Sequence, residues 1–294
     1  MQPVDLTQLP GPSELLRRYD RPAKKKFGQN FLTDPSILDR IVRLAGVEAG
    51  TPVLEIGPGP GGLTTRLIAA GGDVVCIEAD PDAVAFLDQQ LARPFGIRVV
   101  HGDATGPVLG QELGDPPRTV VANLPYHVAT PILFALVHGA HPPERMALMF
   151  QREVAIRIVL GDNDAVTGMP AVGVGIRYTT SLGMSLPPGA FIPPPKVHSA
   201  VVVFRRRAEP LASGDVEAAT LHTAAMAFSQ RRKMLRRSLA GAPMGAEALL
   251  ASAGIAPDVR PETLRLRDFV SLGQAWVDLG APVPKGRLQF RDEA

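Results

Sequence analysis

Asn123-Leu124-Pro125-Tyr126 brings a carboxamide, backbone carbonyls and an aromatic ring together in four consecutive residues. An amide oxygen and a carbonyl can accept both hydrogens of a planar exocyclic amine, while the ring stacks on the heterocycle that carries it. The apolar run Thr119-Val120-Val121-Ala122 before it reads as a short buried strand, and Pro125 can neither donate to a sheet ladder nor continue a helix. The strand therefore ends in a stiff loop at its carboxyl end, where open α/β sheets bind their ligands. Taken alone, the tetrapeptide also reads as an ordinary turn with a buried tyrosine. What precedes it in the chain favours the chemical reading.

Val53-Leu54-Glu55-Ile56 reads as another buried strand, followed at once by Gly57-Pro58-Gly59-Pro60-Gly61-Gly62 and then by the helical spacing of Leu63, Leu67 and Ile68. Glycines let the backbone turn sharply and let a ligand approach it, as at the first strand-to-helix turn of a Rossmann-like unit. Nucleotide-binding dehydrogenases share that turn, so the acids that follow decide. The next strand, Asp73 to Ile77, ends in Glu78, where a carboxylate can accept both ribose hydroxyls. A third strand, Ile97 to Val100, leads to Asp103, which can take the amino group of an adenine. Glu55 suits a cationic sulfonium and amino-acid tail, whereas a pyrophosphate would be repelled. Glycine turn, Glu78, Asp103 and the Asn123 loop at successive strand ends form the pattern of S-adenosylmethionine-dependent methyl transfer.

The elements that must carry these residues fit a chain of 294 residues, long enough for one large domain and a smaller one. Its single cysteine, Cys76, lies in the apolar run Val74 to Ile77 and reads as a core residue, so neither a disulfide nor a cysteine metal cluster is expected. No apolar stretch is long enough to span a bilayer, and the first residues lack the apolar core of a secretory signal, so a cytoplasmic protein is expected. A net charge of +2 says little about partners, but the basic residues are clustered: Lys24-Lys25-Lys26, Arg205-Arg206-Arg207, and Arg231-Arg232-Lys233 with Arg236-Arg237. Such clustering is the footprint of a phosphate-backbone binder, although solvated faces would account for any one cluster.

Residues 1–23 are expected to form a loosely attached arm, with one short helix from Ser13 to Tyr19 capped by Ser13. Asp34-Pro35 starts a second helix, with Asp34 as its cap. A fifth strand is expected over Arg145 to Phe150, then a helix from Gln151 through Leu160 closed by Gly161, a loop over 162–170, and strands at Ala171 to Thr179 and Ser199 to Phe204. Between those strands, three consecutive prolines rigidify the loop that carries Phe191. Its ring either plugs the loop base or sandwiches a flipped base against Tyr126. After Arg207 an Ala- and Leu-rich composition predicts a small helical domain over 208–294. Its first helix, Val216 to about Leu239, would align Arg232 with Arg236 and Lys233 with Arg237 as a basic ridge suited to RNA phosphates.

Five segments, Phe27-Gly28-Gln29-Asn30-Phe31-Leu32, Glu55-Ile56-Gly57-Pro58-Gly59, Asn123 to Tyr126, Phe191-x-Pro-Pro-Pro-Lys196-Val197 and Phe228-x-Gln230-Arg231-Arg232-Lys233, together resemble the bacterial small-subunit ribosomal RNA adenine dimethyltransferases. The resemblance runs from about Lys24 to Phe269. It implies an α/β fold, a Rossmann-like class I methyltransferase sheet over residues 24–207 with a small C-terminal all-helical domain. It also implies transfer of four methyl groups from S-adenosylmethionine to the N6 atoms of two adjacent adenosines near the 3′ end of 16S ribosomal RNA, by a monomer acting on the assembling small subunit. Residue by residue, Asn30, Leu32, Gly57, Glu78, Asp103 and Asn123 match the family's cofactor positions. Asn123, Tyr126 and Phe191 match those that handle the target adenine, and Leu124 and Pro125 complete that loop.

Val166-Thr167-Gly168-Met169-Pro170 and His198 depart from the family pattern at positions that bear on RNA docking. Three other readings stand beside this one. A sister family methylates large-subunit RNA and confers antibiotic resistance, and the Phe228 to Arg237 segment and triple proline separate it. A non-catalytic assembly factor would not need Glu78, Asp103 and Asn123, and a nicotinamide dehydrogenase would not need the Asn123 loop.

Overall fold

The computed structural model describes residues 5–114, 118–159 and 164–283. Nine strands are described: β1 (Phe31–Leu32), β2 (Pro52–Ile56), β3 (Asp73–Glu78), β4 (Arg98–His101), β5 (Thr119–Asn123), β6 (Arg145–Gln151), β7 (Tyr178–Leu186), β8 (Phe191–Ile192) and β9 (Ser199–Arg206). Seven form one sheet in the order β4-β3-β2-β5-β6-β9-β7, and β1 pairs with β8 apart from it. The strands from β4 to β6 run parallel, and β9 joins β6 antiparallel. Parallel central strands are covered on both faces, so they read as continuous apolar runs. Val53, Leu54, Val120, Val121, Ala147 and Leu148 are accordingly fully buried.

The reversal of strand order falls beside β2, whose neighbours are β3 on one side and β5 on the other. That is the switch point at which an open α/β sheet leaves a crevice beyond its carboxyl ends. The glycine turn after β2 and the Asn123 loop after β5 open into it.

The chain divides into two compact units, Met1–Ile156 with Leu182–Arg205, and Arg157–Ser181 with Arg206–Ala294. The expected boundaries differ from these at two places. The segment before Lys24 is not a loose arm where it is described: the helix Pro12–Tyr19 lies in the first unit with Leu15 fully buried and Tyr19 nearly so. The Tyr19 ring meets Phe86 and Phe31 edge-on. This helix starts at Pro12, one residue before the expected cap, and the Ser13 hydroxyl turns to the Thr33 carbonyl. At the second place, Arg157–Ser181 belongs to the second unit.

In that unit Met169–Gly175 is a helix, not the expected strand. Ala171 through Gly175 are buried on every side, so their pattern carries no period of two or of 3.6 to separate the two forms. Pro170 in the first turn favours the helix. The expected long helix over 216–239 is also broken. It runs Gly214–Ser229, turns at the basic stretch, and resumes only as Leu235–Ser238. The amides that would have continued it donate elsewhere, Leu235 to the Val259 carbonyl and Arg236 to that of Pro257. Arg232 and Arg236 therefore do not share a helical ridge, although Arg231, Arg232, Lys233, Arg236 and Arg237 are all exposed. Gln151 closes β6 and the next helix is Arg152–Ile158, while Leu160 and Gly161 lie outside the described residues. No helix among the described residues is long and apolar enough to cross a membrane.

Candidate active site

A cavity of about 260 Å³ opens in the first unit at the switch point of the sheet. Asn30, Leu32, Glu55, Gly57, Glu78, Asp103, Asn123, Leu124, Pro125 and Tyr126 line it. Residues from four strand ends and from the segment before β1 thus converge on one concavity.

The floor is built by the turn after β2. Gly57 has a φ of +68° and its N–H donates to the Ile77 carbonyl, so the chain reverses immediately under the cavity. A Cβ at Gly57 would meet nothing within 4 Å, whereas one at Gly59 would sit 2.9 Å from the Phe31 ring. Backbone is therefore exposed to a ligand at Gly57 and pressed against an aromatic wall at Gly59. The Gly59 N–H donates to Glu78 Oε2 at 2.9 Å, and the Asp80 N–H to Glu78 Oε1 at 2.8 Å. Each carboxylate oxygen keeps lone-pair capacity for a hydroxyl. Burial pushes the Glu78 carboxyl up, and those backbone hydrogen bonds oppose the shift.

Asp103 is exposed at the rim, and its Oδ1 accepts from the N–H and the hydroxyl of Thr105. That turn holds the carboxylate in place and leaves Oδ2 for an incoming amino group. Glu55 lies deepest, 1% exposed, with the Cys76 thiol 3.7 Å from its Oε2. Burial raises its carboxyl to about 8. The fully buried Thr64 hydroxyl has no hydrogen-bond partner of good geometry. A cationic group above this carboxyl would restore its ionised form, so the donor set fits a ligand with a ribose, an amino-bearing ring and a positively charged tail.

The Asn123 amide is fixed by the segment before β1: its Nδ2 donates to the Asn30 carbonyl at 2.9 Å. Asn30 in turn donates from its own Nδ2 to the Gly28 carbonyl at 3.1 Å. A carbonyl can only accept, so the Asn123 NH₂ must face Asn30 and its Oδ1 is left as the acceptor. Tyr126 opens the helix Tyr126–His138, and its hydroxyl shares a hydrogen bond of 2.6 Å with that of Ser199 at the start of β9. Burial raises the Tyr126 phenol and the Ser199 hydrogen bond pulls against it.

Phe191 is not placed at the cavity. It pairs with Leu32 in the β1–β8 ribbon, is 2% exposed, and packs into the apolar cluster with Leu32, Leu38 and Leu186. Of the two readings of this ring, the structure shows the plug at the loop base. Its neighbour Ile192 is the exposed side chain of the ribbon. The sequence motifs also missed Asp80. It is fully buried, and accepts from Lys24 Nζ at 2.6 Å and Gln29 Nε2 at 3.0 Å. Lys24 is thereby paired with Asp80 and Asp82 and is not available as a free phosphate ligand. The Asp-Pro helix start at Asp80-Pro81 was the available signal, and it points to capping alone.

The two departures from the family pattern are also placed. Val166 is buried and its N–H donates to the Leu264 carbonyl within the second unit, while His198 is exposed and its carbonyl accepts from the Arg152 N–H.

The chain matches the family model described as ribosomal RNA adenine dimethylase over residues 21–276. It is 42% identical to "Ribosomal RNA small subunit methyltransferase A" of Afipia carboxidovorans, covering 94% of this chain and 99% of that protein. It is 44% identical to the protein of the same name from Rhodopseudomonas palustris, over 91% of this chain and 94% of the other. Among solved structures, the 23S rRNA methyltransferase ErmE aligns with a TM-score of 0.64 at 26% identity, covering 84% of this chain and all of that one. A dimethyladenosine transferase from Plasmodium falciparum shares the fold, with a TM-score of 0.69 at 23% identity over 85% of this chain and 98% of the other. With a family match that spans both units and a cavity lined by the acids and the amide loop of its motifs, the chain belongs to the ribosomal RNA adenine dimethylase family.

Proposed function

We propose that the protein transfers methyl groups from S-adenosylmethionine to the N6 atoms of two adjacent adenosines near the 3′ end of 16S ribosomal RNA, as a monomer acting on the assembling small subunit in the cytoplasm. The observation that carries this reading is the Asn30–Asn123 hydrogen bond, which leaves an amide oxygen as acceptor at the mouth of a nucleoside-sized cavity. The small-subunit substrate is supported by the names of the relatives at 42% and 44% identity. The large-subunit alternative rests on a neighbour at 26% identity and is not favoured.

S-adenosylmethionine supplies a methyl group made electrophilic by its positive sulfur. Glu78 would take its ribose hydroxyls, Asp103 Oδ2 its adenine amino group, and Glu55 would offset the charge of its cationic tail. The target adenine's exocyclic nitrogen is a poor nucleophile because its lone pair is delocalised into the ring. Asn123 Oδ1 accepts one N6 hydrogen. The Leu124 or Pro125 carbonyl takes the other; the Pro125 oxygen already accepts from the Val128 N–H at 3.1 Å and keeps a second lone pair. In the first transfer, accepting both hydrogens returns electron density to the nitrogen and aims its lone pair along the line of attack, and in the second the one remaining hydrogen is accepted. Each time the N6–carbon bond would form as the methyl–sulfur bond breaks, the sulfur would keep that electron pair as a neutral thioether, and one N6 proton would pass to water. Tyr126, held by Ser199, supplies the stacking face. Positioning dominates this chemistry, and good alignment can supply roughly 7–11 kcal/mol of the barrier.

The test is methyl transfer from labelled S-adenosylmethionine to small subunits from a strain lacking the modification, with unmodified large subunits in parallel. Label recovered as N6,N6-dimethyladenosine in small-subunit RNA is the expected result. Label in the large subunit alone overturns it.

A further inference from the structure

Asp80 touches neither of the two places where the chemistry is done, yet it is bonded to the machinery of both. On one side its N–H donates to Glu78 Oε1 at 2.8 Å, holding the carboxylate that faces the ribose. On the other, its own carboxylate receives the segment that precedes β1. Oδ1 accepts from Lys24 Nζ at 2.6 Å and Oδ2 from Gln29 Nε2 at 3.0 Å. Gln29 closes the ring, because its Oε1 accepts the Lys24 N–H at 2.8 Å. The next residue, Asn30, is the one whose carbonyl orients Asn123.

Burial pushes the Asp80 carboxyl up, but the hydrogen bonds from Lys24, Gln29 and the Asp82 N–H outweigh it and hold the group below the usual carboxylate value. A fully buried carboxylate is tolerated only when its lone pairs are met, and here the segment that crosses from the cofactor wall to the target-base loop meets them at the two shortest side-chain contacts, with the Asp82 N–H at 3.1 Å and the Tyr19 hydroxyl at 3.4 Å beside it. Removing the charge leaves three side-chain donors, Lys24 Nζ, Gln29 Nε2 and the more distant Tyr19 hydroxyl, competing for a weaker acceptor. The consequence is expected at residues 24–30, and to a smaller extent at Tyr19, but not in the sheet.

We propose that Asp80 is a positioning residue that couples the cofactor-binding carboxylate Glu78 to the acceptor amide Asn123, by fixing the Lys24–Asn30 segment between them. The chain of contacts is continuous: Glu78 to Asp80, Asp80 to Gln29 and Lys24, and Asn30 to Asn123. This inference rests on the proposed function for the roles of its two ends, while the coupling itself is a property of the free protein.

The experiment compares the full-length protein with Asp80→Asn, Gln29→Glu and the double variant. Gln29→Glu faces Asp80 with a second carboxylate, and the double variant returns one acid and one amide to the same hydrogen bond with their places exchanged. Hydrogen–deuterium exchange, titration with S-adenosylmethionine and labelled methyl transfer are measured on each, with thermal melting as a control for folding. In Asp80→Asn, exchange is expected to rise over residues 24–32 and at the Asn123 loop while β2 and β5 stay protected. Turnover should fall roughly tenfold or more through misalignment. The double variant should recover most of both. Unchanged exchange over 24–32 in Asp80→Asn, or losses in the double variant that simply add, would overturn the coupling. If the unaltered protein methylates neither subunit, the proposed function fails, and the exchange pattern still decides the coupling.

Discussion

The Asn123 side-chain NH₂ donates to the backbone carbonyl of Asn30, 2.9 Å away and 93 residues earlier in the chain. This single contact decides which end of the amide faces the cavity. An amide free to flip would present donor and acceptor alternately, and only the acceptor can engage an amino group.

Asn123→Ala is expected to keep cofactor binding close to that of the unaltered protein and to lose at least about a hundredfold in turnover, as misplacement of a reacting group does. Titration calorimetry and single-turnover methyl transfer separate the two effects. Turnover within a few fold of normal would remove Asn123 from the chemistry.

Tyr126 offers a finer test, because its ring and its hydroxyl have separate tasks. Tyr126→Phe gives up only the hydrogen bond to Ser199, a loss of about 1 kcal/mol. Tyr126→Ala also gives up base stacking, about 1–3 kcal/mol. KM for the RNA should therefore rise little in the first variant and clearly in the second. Equal effects would place the tyrosine's role in the hydroxyl.

Glu55 should make stability fall with pH. Its carboxyl is raised by burial from 4.5 to about 8, beside Thr64, the Cys76 thiol and Glu78, with apolar Val121 next to it on β5. A folded-state value above the unfolded one means that the native state binds more protons between those limits. Stability is then full below about pH 4.5 and declines as pH rises towards about 8. Urea melts of the free protein across that window should show the decline, and Glu55→Gln should flatten it. An unchanged slope in the variant would mean that another group titrates.

The helix Pro12–Tyr19 should contribute to stability although it precedes the sheet. Leu15 is fully buried, so Leu15→Ala should cost about 2–5 kcal/mol in denaturant unfolding. A change below the error of such a melt would return residues 11–20 to the status of an appendage.

Much of the site was legible in the chain because each of its parts is local. Gly57, Glu78, Asp103 and Asn123 each follow a short apolar run, and an α/β sheet brings the carboxyl ends of neighbouring strands to one crevice whatever the loops between them. The helix starts at Asp34-Pro35 and the strand at Ser199 were readable for the same reason. What failed were segments whose form depends on distant partners. Met169–Gly175 is apolar on every side, and only the helices packed around it select helix over strand. The break after Ser229 follows from carbonyls of Val259 and Pro257 that no local pattern announces.

The sequence by itself thus determined the fold class, the order of the acids that line the cavity and the place of the amide loop beside them, since these rest on apolar periodicity, glycine turns and residue types at strand ends. Only the tertiary structure decided that Phe191 is buried against Leu32, that Lys24 is neutralised by Asp80 and Asp82, and that Asn123 is oriented by Asn30. Each of those depends on which hydrogen-bond or packing partner arrives from elsewhere in the chain, and a side chain's chemistry at a site is set by the partner that satisfies its other atoms.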